Sequence, residues 1–473
     1  MPASFARLSF ALALVCAFVA LPGCRTSAEP ETSAASASFS AAAAPKNVIL
    51  FISDGCGPAS FTLAREYRRF LGEKRGLAID AIQKGSVHTY STTSRVTDSA
   101  AGATAYACGV KTFNGAIAVD TLERPIATLL EGAESLGKAT GLVTTTRITH
   151  ATPASFSAHV ADRGSENDIA LQQLAQDIEV LFGGGRRHFL PSTDEDSGRE
   201  DARNLLEEAR SAGYSVIGSR DELLGASEVP VLGLFASSDL PFEIDRDEDE
   251  SPSLAEMTRA AIELLDDDPD GFFLMVEGGR IDHAAHGNDV AAHVHDILAY
   301  DAAVEEALRF ARENGATLIV ATSDHETGGL TLGRNVRGSA VYAWHPEVIH
   351  RVKGSHGAME DRIEDGLSDP RQILREVAGI TDPTDGELAL FEGAESADRL
   401  VDAVAEVIDR RAVIGWTSGG HTAVDVNLYA FGPGSDRFIG HHDNTFVGRT
   451  IAELMRVDLD ALSRTLQAET TAR

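Results

Sequence analysis

An α/β fold built on a large, mostly parallel central sheet with helices on both faces follows from three stretches of this chain. Residues 47–52, 271–276 and 316–321 are continuous apolar runs of strand length. That is how strands buried on both faces of a parallel sheet read. Amphipathic, helix-like segments separate them, which is βαβ grammar. Each run is closed by a carboxylate: Asp54, Glu277 and Asp324. The C-terminal ends of parallel strands share one rim, where open α/β sheets place their ligand chemistry. Three acids far apart in sequence are therefore expected to converge.

The chain has 473 residues, enough to bury a large core. Its 41 basic and 72 acidic residues give a net charge of −31. A surface this acidic excludes nucleic acid as a stable partner and favours bound divalent cations. Residues 1–23 hold Arg7, an apolar run at 8–20 and Leu21-Pro22-Gly23, with Cys24 next. The run is too short to span a membrane comfortably and reads as an export signal. Leu-x-Gly-Cys is similar to a bacterial lipobox, although Pro22 departs from the usual residue there. Residues 24–45, rich in Ser and Ala, read as a tether. The expectation is an exported chain, periplasmic or at the cell surface, that meets the membrane only through a lipid on Cys24. Residues 46–473 are expected to form the catalytic domain, interrupted by an insertion at about 333–415. Cys56 and Cys108 are expected to stay unpaired.

Taken in order, the first strand (47–52) leads to Asp54 and a helix at 60–71. The run Val96-Thr97-Asp98-Ser99-Ala100-Ala101-Gly102 reads as a turn opening a small-residue helix, capped by Asp98 or Ser99. A hydroxyl at a helix N-terminus faces unpaired N–H groups and the positive end of the dipole, a setting that suits phosphate. A helix is predicted over 125–136, a strand over 141–145 and a helix over 166–182. A Gly-rich turn at 183–185 and an αβ unit at 201–218 follow, with acidic loops at 194–201 and 245–250. A helix at 253–265 precedes the strand ending at Glu277. A long helix at 289–314 precedes the strand ending at Asp324. Within the insertion, helices are expected at 370–378 and 396–410, and a last strand at 426–431. No internal repeat is present.

Asp282 and His286 lie four residues apart, which suits one face of a helical turn or a tight loop, and both are zinc-ligand types. Catalytic zinc takes three protein ligands plus an open position, and His421 is a candidate for the third. Asp324 and His325 together offer half of a second site.

These stretches resemble the alkaline phosphatase family of metal-dependent phosphomonoesterases. The matching motifs are Asp54-Gly55-Cys56-Gly57, Thr97-Asp98-Ser99-Ala100, His150-Ala151-Thr152-Pro153-Ala154, the run from Glu277 to His286, Thr322-Ser323-Asp324-His325-Glu326-Thr327-Gly328-Gly329, and Gly420-His421-Thr422. All six occur in the family's order. The resemblance implies Ser99 as the nucleophile that becomes a phosphoserine. It implies one Zn2+ on Asp282, His286 and His421, and a second on Asp54, Asp324 and His325 with Ser99 as exchangeable ligand. A third ion, Mg2+, is implied at Asp54, Thr152 and Glu277. Arg163 is implied as the phosphate clamp, with Asp98, His150 and His283 around these groups. Such a centre suits a transition state whose charge lies on oxygens, because two metals can hold entering and leaving oxygens in line. Arg163 offers two parallel charged hydrogen bonds to phosphate, and an all-oxygen third site suits a hard ion.

The expected substrates are small phosphate monoesters, with inorganic phosphate as product, activity favouring alkaline pH, and a homodimer by family precedent. His150 and His283 match the animal-type enzymes, whereas some bacterial relatives have Asp and Lys there. The animal-type calcium site near Gly233-Leu234-Phe235 is expected to be missing, because Ala236 and Ser251 stand where acids belong. Two other readings compete: a phosphodiesterase of the same superfamily, and a non-catalytic metal-binding surface lipoprotein. The second leaves a serine at a helix start without a purpose.

Overall fold

The computed structural model describes residues 44–336 and 338–472. The expected export signal, Cys24 and nearly all of the expected tether lie outside the described residues. No helix among the described residues is long and apolar enough to cross a membrane.

Ten strands form the central sheet: β1 (Asn47–Ser53), β2 (Gln83–His88), β3 (Ala139–Arg147), β4 (Val180–Gly184), β5 (Ser215–Ile217), β6 (Val231–Leu234), β7 (Phe272–Gly278), β8 (Thr317–Thr322), β9 (Val426–Phe431) and β10 (Gly440–Asp443). Their spatial order is β10-β2-β9-β8-β1-β7-β3-β4-β6-β5. Only β9 runs against the rest, pairing antiparallel with β8 and β2. The apolar runs that defined the fold class occupy the middle of the sheet, and β1 is buried along its whole length.

Side-chain alternation along β1 divides the core into two layers. Ile49 and Phe51 pack with Met257, Tyr300 and Val304, on the helices Leu254–Leu265 and Val290–Asn314. Val48, Leu50 and Ile52 pack on the other face with Tyr106, Leu129 and Ile451. Register then fixes the rim. Ile52 lies opposite both Glu277 of β7 and Thr322 of β8, and Thr144 of β3 also lies opposite Glu277. Asp54 and Asp324, each two residues past a paired position, emerge at the same level.

Two expected helices are corrected. Of residues 125–136, only Leu129–Glu134 is helical, because Thr128 caps it with Glu131 completing a capping box. Pro125 instead bridges to Val119. The helix expected over 166–182 stops at Ala175, and 180–184 is β4. The demand for a strand between β3 and β6 overrides the helical pattern there. Of the expected turn at 183–185, Gly183 and Gly184 end β4 and only Gly185, at φ +89°, turns away. At Gly184 an added Cβ would lie 1.9 Å from the Ser238 carbonyl. The αβ unit is present as the helix Leu205–Ser211 and β5. Residues 333–415 contain the expected helices Pro370–Val377 and Ala397–Ala412, together with Pro346–Ile349, His356–Glu364 and Asp385–Leu388. They share the Ile49 layer through Ile373, Leu374 and Val404. Cys56 and Cys108 are buried and free.

His293 links the long helix to this layer. Its Nδ1 meets the Ile281 carbonyl at 3.0 Å and its Nε2 the Ser60 hydroxyl at 2.9 Å. Burial pushes the imidazole down to about 4. Between that value and the ordinary one near 6.5, the unfolded chain binds a proton that the folded chain refuses, so stability falls as pH falls through this window. The residue should account for roughly 3 kcal/mol of stability lost between pH 6.5 and 4. Denaturant titrations at a series of pH values should show a flatter acid limb for His293→Gln than for the parent, and parallel limbs would refute the assignment.

Candidate active site

The helix Ser99–Cys108 begins at the rim, with Asp98 as its cap accepting from the Ala101 N–H at 3.0 Å. Ser99 is therefore the first helical residue, and its Oγ lies 3.3 Å from His325 Nε2. The small residues are a packing requirement. A Cβ at Gly102 would stand 3.0 Å from the Asp324 carbonyl oxygen and 3.1 Å from its Cβ. Gly55, at φ +69°, has the same role opposite: a Cβ there would meet Asp282 Oδ1 at 2.5 Å.

Three groups of donor side chains stand at the rim, each with its donor atoms within 4.8 Å of one another: Asp282, His286 and His421; Asp54, Asp324 and His325, which adjoins Ser99; and Asp54, His150 and Glu277. The helix Arg280–His286 presents Asp282 and His286 on one face, Oδ2 to Nε2 3.2 Å. His421 comes from the far end of the chain. A two-residue strand, His421–Thr422, pairs with Glu326–Thr327 and brings it in, so that its ring stacks on His325 at 3.6 Å between centroids. His286 Nδ1 donates to the Gly419 carbonyl at 2.8 Å, and His421 Nδ1 to the Thr97 carbonyl at 2.9 Å. These bonds turn both Nε2 atoms inward, 3.0 Å apart. Pinning the outer nitrogen in this way is how proteins orient imidazole ligands.

The electrostatics call for positive charge. Asp54, Glu277, Asp324 and His325 are completely buried. Burial, then the charges of Asp324, Asp282 and Glu277, push Asp54 well above the carboxylate range. Burial, followed by the charge of Asp282, raises Asp324 to about 7, and burial raises Glu277 to about 7. Burial drives His325 well down, with the His421 charge next. Burial also works against Asp282 as an anion, but the hydrogen bond from His286 and the imidazole charges outweigh it and hold this carboxyl well down. The same bond lifts His286 to about 9, so a proton or a cation in its place belongs between these donors. Both oxygens of Asp54, Oδ2 of Asp324, Oε1 of Glu277, Oγ1 of Thr152 and Nδ1 of His150 are buried with no hydrogen-bond partner. Each such atom costs about 1–3 kcal/mol. Metal coordination uses oxygen and imidazole donors of this kind, so the residues fit divalent cations.

All the residues expected from the sequence lie here. Arg163 donates to Asp98 Oδ2 at 3.1 Å and to His150 Nε2 at 3.0 Å, at the edge of the Ser99–Cys108 helix. Thr152 is buried at the Glu277 side of the rim. His283 is set back, its Nδ1 2.8 Å from Arg280 Nη1 and its ring edge-on to His150 at 5.6 Å. His150 joins the Asp54–Glu277 group, where the sequence placed only oxygen donors.

Sequence reasoning missed the residues that hold the donors. Thr327 Oγ1 donates to Asp282 Oδ1 at 2.5 Å and lies 3.2 Å from His325 Nδ1, coupling two groups through one hydroxyl. Thr144 and Thr146 both donate to Glu277 Oε2. Arg147 clasps Glu166 and Asp239 below His283. The threonines of β3 had only their place at a strand end to mark them.

A family model described as alkaline phosphatase matches residues 45–457. The chain belongs to the alkaline phosphatase family. It is 42% identical to the repressible alkaline phosphatase of Saccharomyces cerevisiae, over 88% of this chain and 82% of the yeast protein. Alkaline phosphatase 3 of Bacillus subtilis is 39% identical, over 88% of this chain and 90% of its own length. A crystal structure of the Thermus thermophilus alkaline phosphatase superposes with a TM-score of 0.78 at 34% identity, covering 89% of this chain and 93% of that one. Alkaline phosphatases are metal-dependent phosphoric monoester hydrolases, and the donor groups at this rim agree with that class.

If cations neutralise the rim, they stabilise the folded state by mass action, about 2.7 kcal/mol at a hundredfold excess over the dissociation constant. Calorimetry of the full chain should show the unfolding midpoint fall with a chelator and recover with added Zn2+. Asp324→Asn should lose most of that response. A midpoint indifferent to both reagents would remove the metal reading.

Proposed function

We propose that this chain hydrolyses phosphate monoesters to an alcohol and inorganic phosphate through a phosphoserine on Ser99, at a centre of two Zn2+ and one Mg2+ ions. The observation that supports it most is the Ser99 hydroxyl, which begins a helix beside His325, whose donor group shares Asp54 with one neighbouring group and touches His421 of the other. Asp282, His286 and His421 would hold one zinc, and Asp54, Asp324 and His325 the other. Asp54, Glu277 and Thr152 would hold magnesium, with His150 beside them. Bound there, the ions would supply Lewis-acid stabilisation of charge on the entering and leaving oxygens.

The residues themselves do the rest. The helix start fixes Ser99 Oγ toward His325, so the nucleophile is placed before substrate arrives. Attack by Oγ forms the Ser99 O–P bond as the ester P–O bond breaks, and the alcohol leaves with a proton. Water then attacks the same phosphorus, the Ser99 O–P bond breaks, and the serine regains its proton. The need for a deprotonated serine and a deprotonated water favours alkaline pH. Arg163 is held by Asp98 and His150 at the helix edge, where its fork can grip two phosphate oxygens. A monoester presents three non-bridging oxygens, enough for the Arg163 fork and for the cations at once, whereas a diester presents two, which favours the monoester reading. Export, lipid attachment at Cys24 and assembly as a homodimer complete the proposal.

Hydrolysis of an aryl phosphate and an aryl phosphodiester at alkaline pH tests it. The monoester should be strongly preferred, and a chelator should abolish turnover. Ser99→Ala should lower kcat by roughly 10³-fold or more. Faster diester cleavage, or a Ser99→Ala variant as active as the parent, would refute the reading.

Arg163→Ala should raise KM and weaken inhibition by inorganic phosphate by roughly 10-fold to 100-fold, the effect of losing charged hydrogen bonds. Unchanged phosphate inhibition would exclude Arg163 as the clamp.

A further inference from the structure

A second group of imidazoles stands on the same rim, beyond β8 and β9, where β2 and β10 end. These two strands are parallel and in register, with His441 opposite Ser86 and Asp443 opposite His88. His88 Nδ1 faces His441 Nε2 at 3.1 Å. Within the donor groups around Ser99, the inward nitrogens of His286 and His421 are separated by 3.0 Å. The outer nitrogens are pinned here as well. His88 Nε2 lies 3.2 Å from Asp443 Oδ2, and His441 Nδ1 lies 2.9 Å from Ser86 Oγ. Asp443 is itself fixed by the Thr445 N–H and hydroxyl, at 3.0 and 2.6 Å. The side chains of His88 and His441 are 40% and 52% exposed, so the pair buries little and a solute can reach it.

We propose that His88 and His441 form a separate surface site for one transition-metal ion, Zn2+ or its neighbours Ni2+ and Cu2+, with solvent completing the coordination. Imidazole donors select these ions over Mg2+ and Ca2+. The carboxylate behind His88 and the hydroxyl behind His441 are the outer partners that orient ligating imidazoles. Lys111, 3.2 Å from Asp443 Oδ2, opposes a cation, whereas Asp425, 3.8 Å from His441 Nδ1, favours one. The net charge of −31 favours one as well.

With its proton on Nε2, toward the Asp443 carboxylate 3.2 Å away, His88 accepts at Nδ1 from His441 Nε2–H, and His441 accepts at Nδ1 from the Ser86 hydroxyl. Metal binding moves the His441 proton from Nε2 to Nδ1 and turns Ser86 from donor to acceptor. Both facing nitrogens are then lone pairs, and no net proton is released. An ion there would tie the edge strand to β2, whose continuation, residues 89–98, leads directly to Ser99.

Equilibrium dialysis of the full chain against micromolar free Zn2+, with bound zinc counted by mass spectrometry, tests the site. His441→Ala and His88→Ala should each bind one zinc fewer per chain than the parent, with unchanged hydrolysis of an aryl phosphate. Loading with Cu2+ after the other sites are filled with zinc should give a copper resonance signal in the parent that His441→Ala lacks. Equal zinc counts and equal copper signals in parent and variants would overturn the site and leave the phosphatase reading untouched. Metal-free melting curves that coincide for parent and variants ensure that a missing zinc reports a lost ligand and not a lost fold.

Discussion

Buried negative charge at the rim is the constraint on which the rest of this structure depends. Asp54 has no exposed surface and neither of its oxygens has a hydrogen-bond partner, yet it belongs to two donor groups at once. Glu277, Asp324 and Asp282 lie close enough to raise its proton affinity further. Charges this close in a poorly solvated interior repel strongly. Positive charge shared among them would relieve that repulsion, and a carboxylate common to two groups would offer an oxygen to each.

The sheet makes such crowding mechanically sustainable. β1, β7, β8 and β3 are buried, paired in fixed register and backed by helices on both faces. Their side chains cannot slide apart to relieve repulsion without breaking the ladder. The mobile part of the problem is carried by imidazoles, which come from a helix and from a two-residue strand. Each is locked by a backbone carbonyl at its outer nitrogen. The ends of rigid strands thus supply most of the oxygen donors, and a helix and a short strand pinned by main-chain hydrogen bonds supply the nitrogen donors of His286 and His421. Thr327 joins the two sets through Asp282 and His325.

How far the sequence disclosed this differed by element. The strands ending at Asp54, Glu277 and Asp324 were legible because burial on both faces leaves a continuous apolar run. The spacing of four between Asp282 and His286 allowed a helical turn or a tight loop, and the structure has the helix. The strand Val180–Gly184 was hidden, because a short apolar run beside a helix has no period of its own. The shortening of the 125–136 helix turned on the Thr128 cap, a local competition that apolar periodicity does not register. His421 could be matched by resemblance, but its partner strand is two residues long and carries no pattern. His150 entered the Asp54–Glu277 group because the turn after β3 folds back over the rim, a matter of tertiary geometry alone.

An anionic substrate must still approach a chain carrying 31 excess negative charges. Distance decides which charges count. At physiological ionic strength a surface charge is screened within about 8 Å, whereas buried groups are screened far less. Acidic loops such as 245–250 therefore govern solubility and the long-range field, while affinity for phosphate is set at the rim. There the four carboxylates Asp54, Glu277, Asp282 and Asp324 outnumber Arg163, and the unaided cleft would repel a dianion. Cations held by those carboxylates, as the proposed function requires, would reverse the sign of the cleft, so the residues that look least suited to binding phosphate would be the ones that make its binding possible.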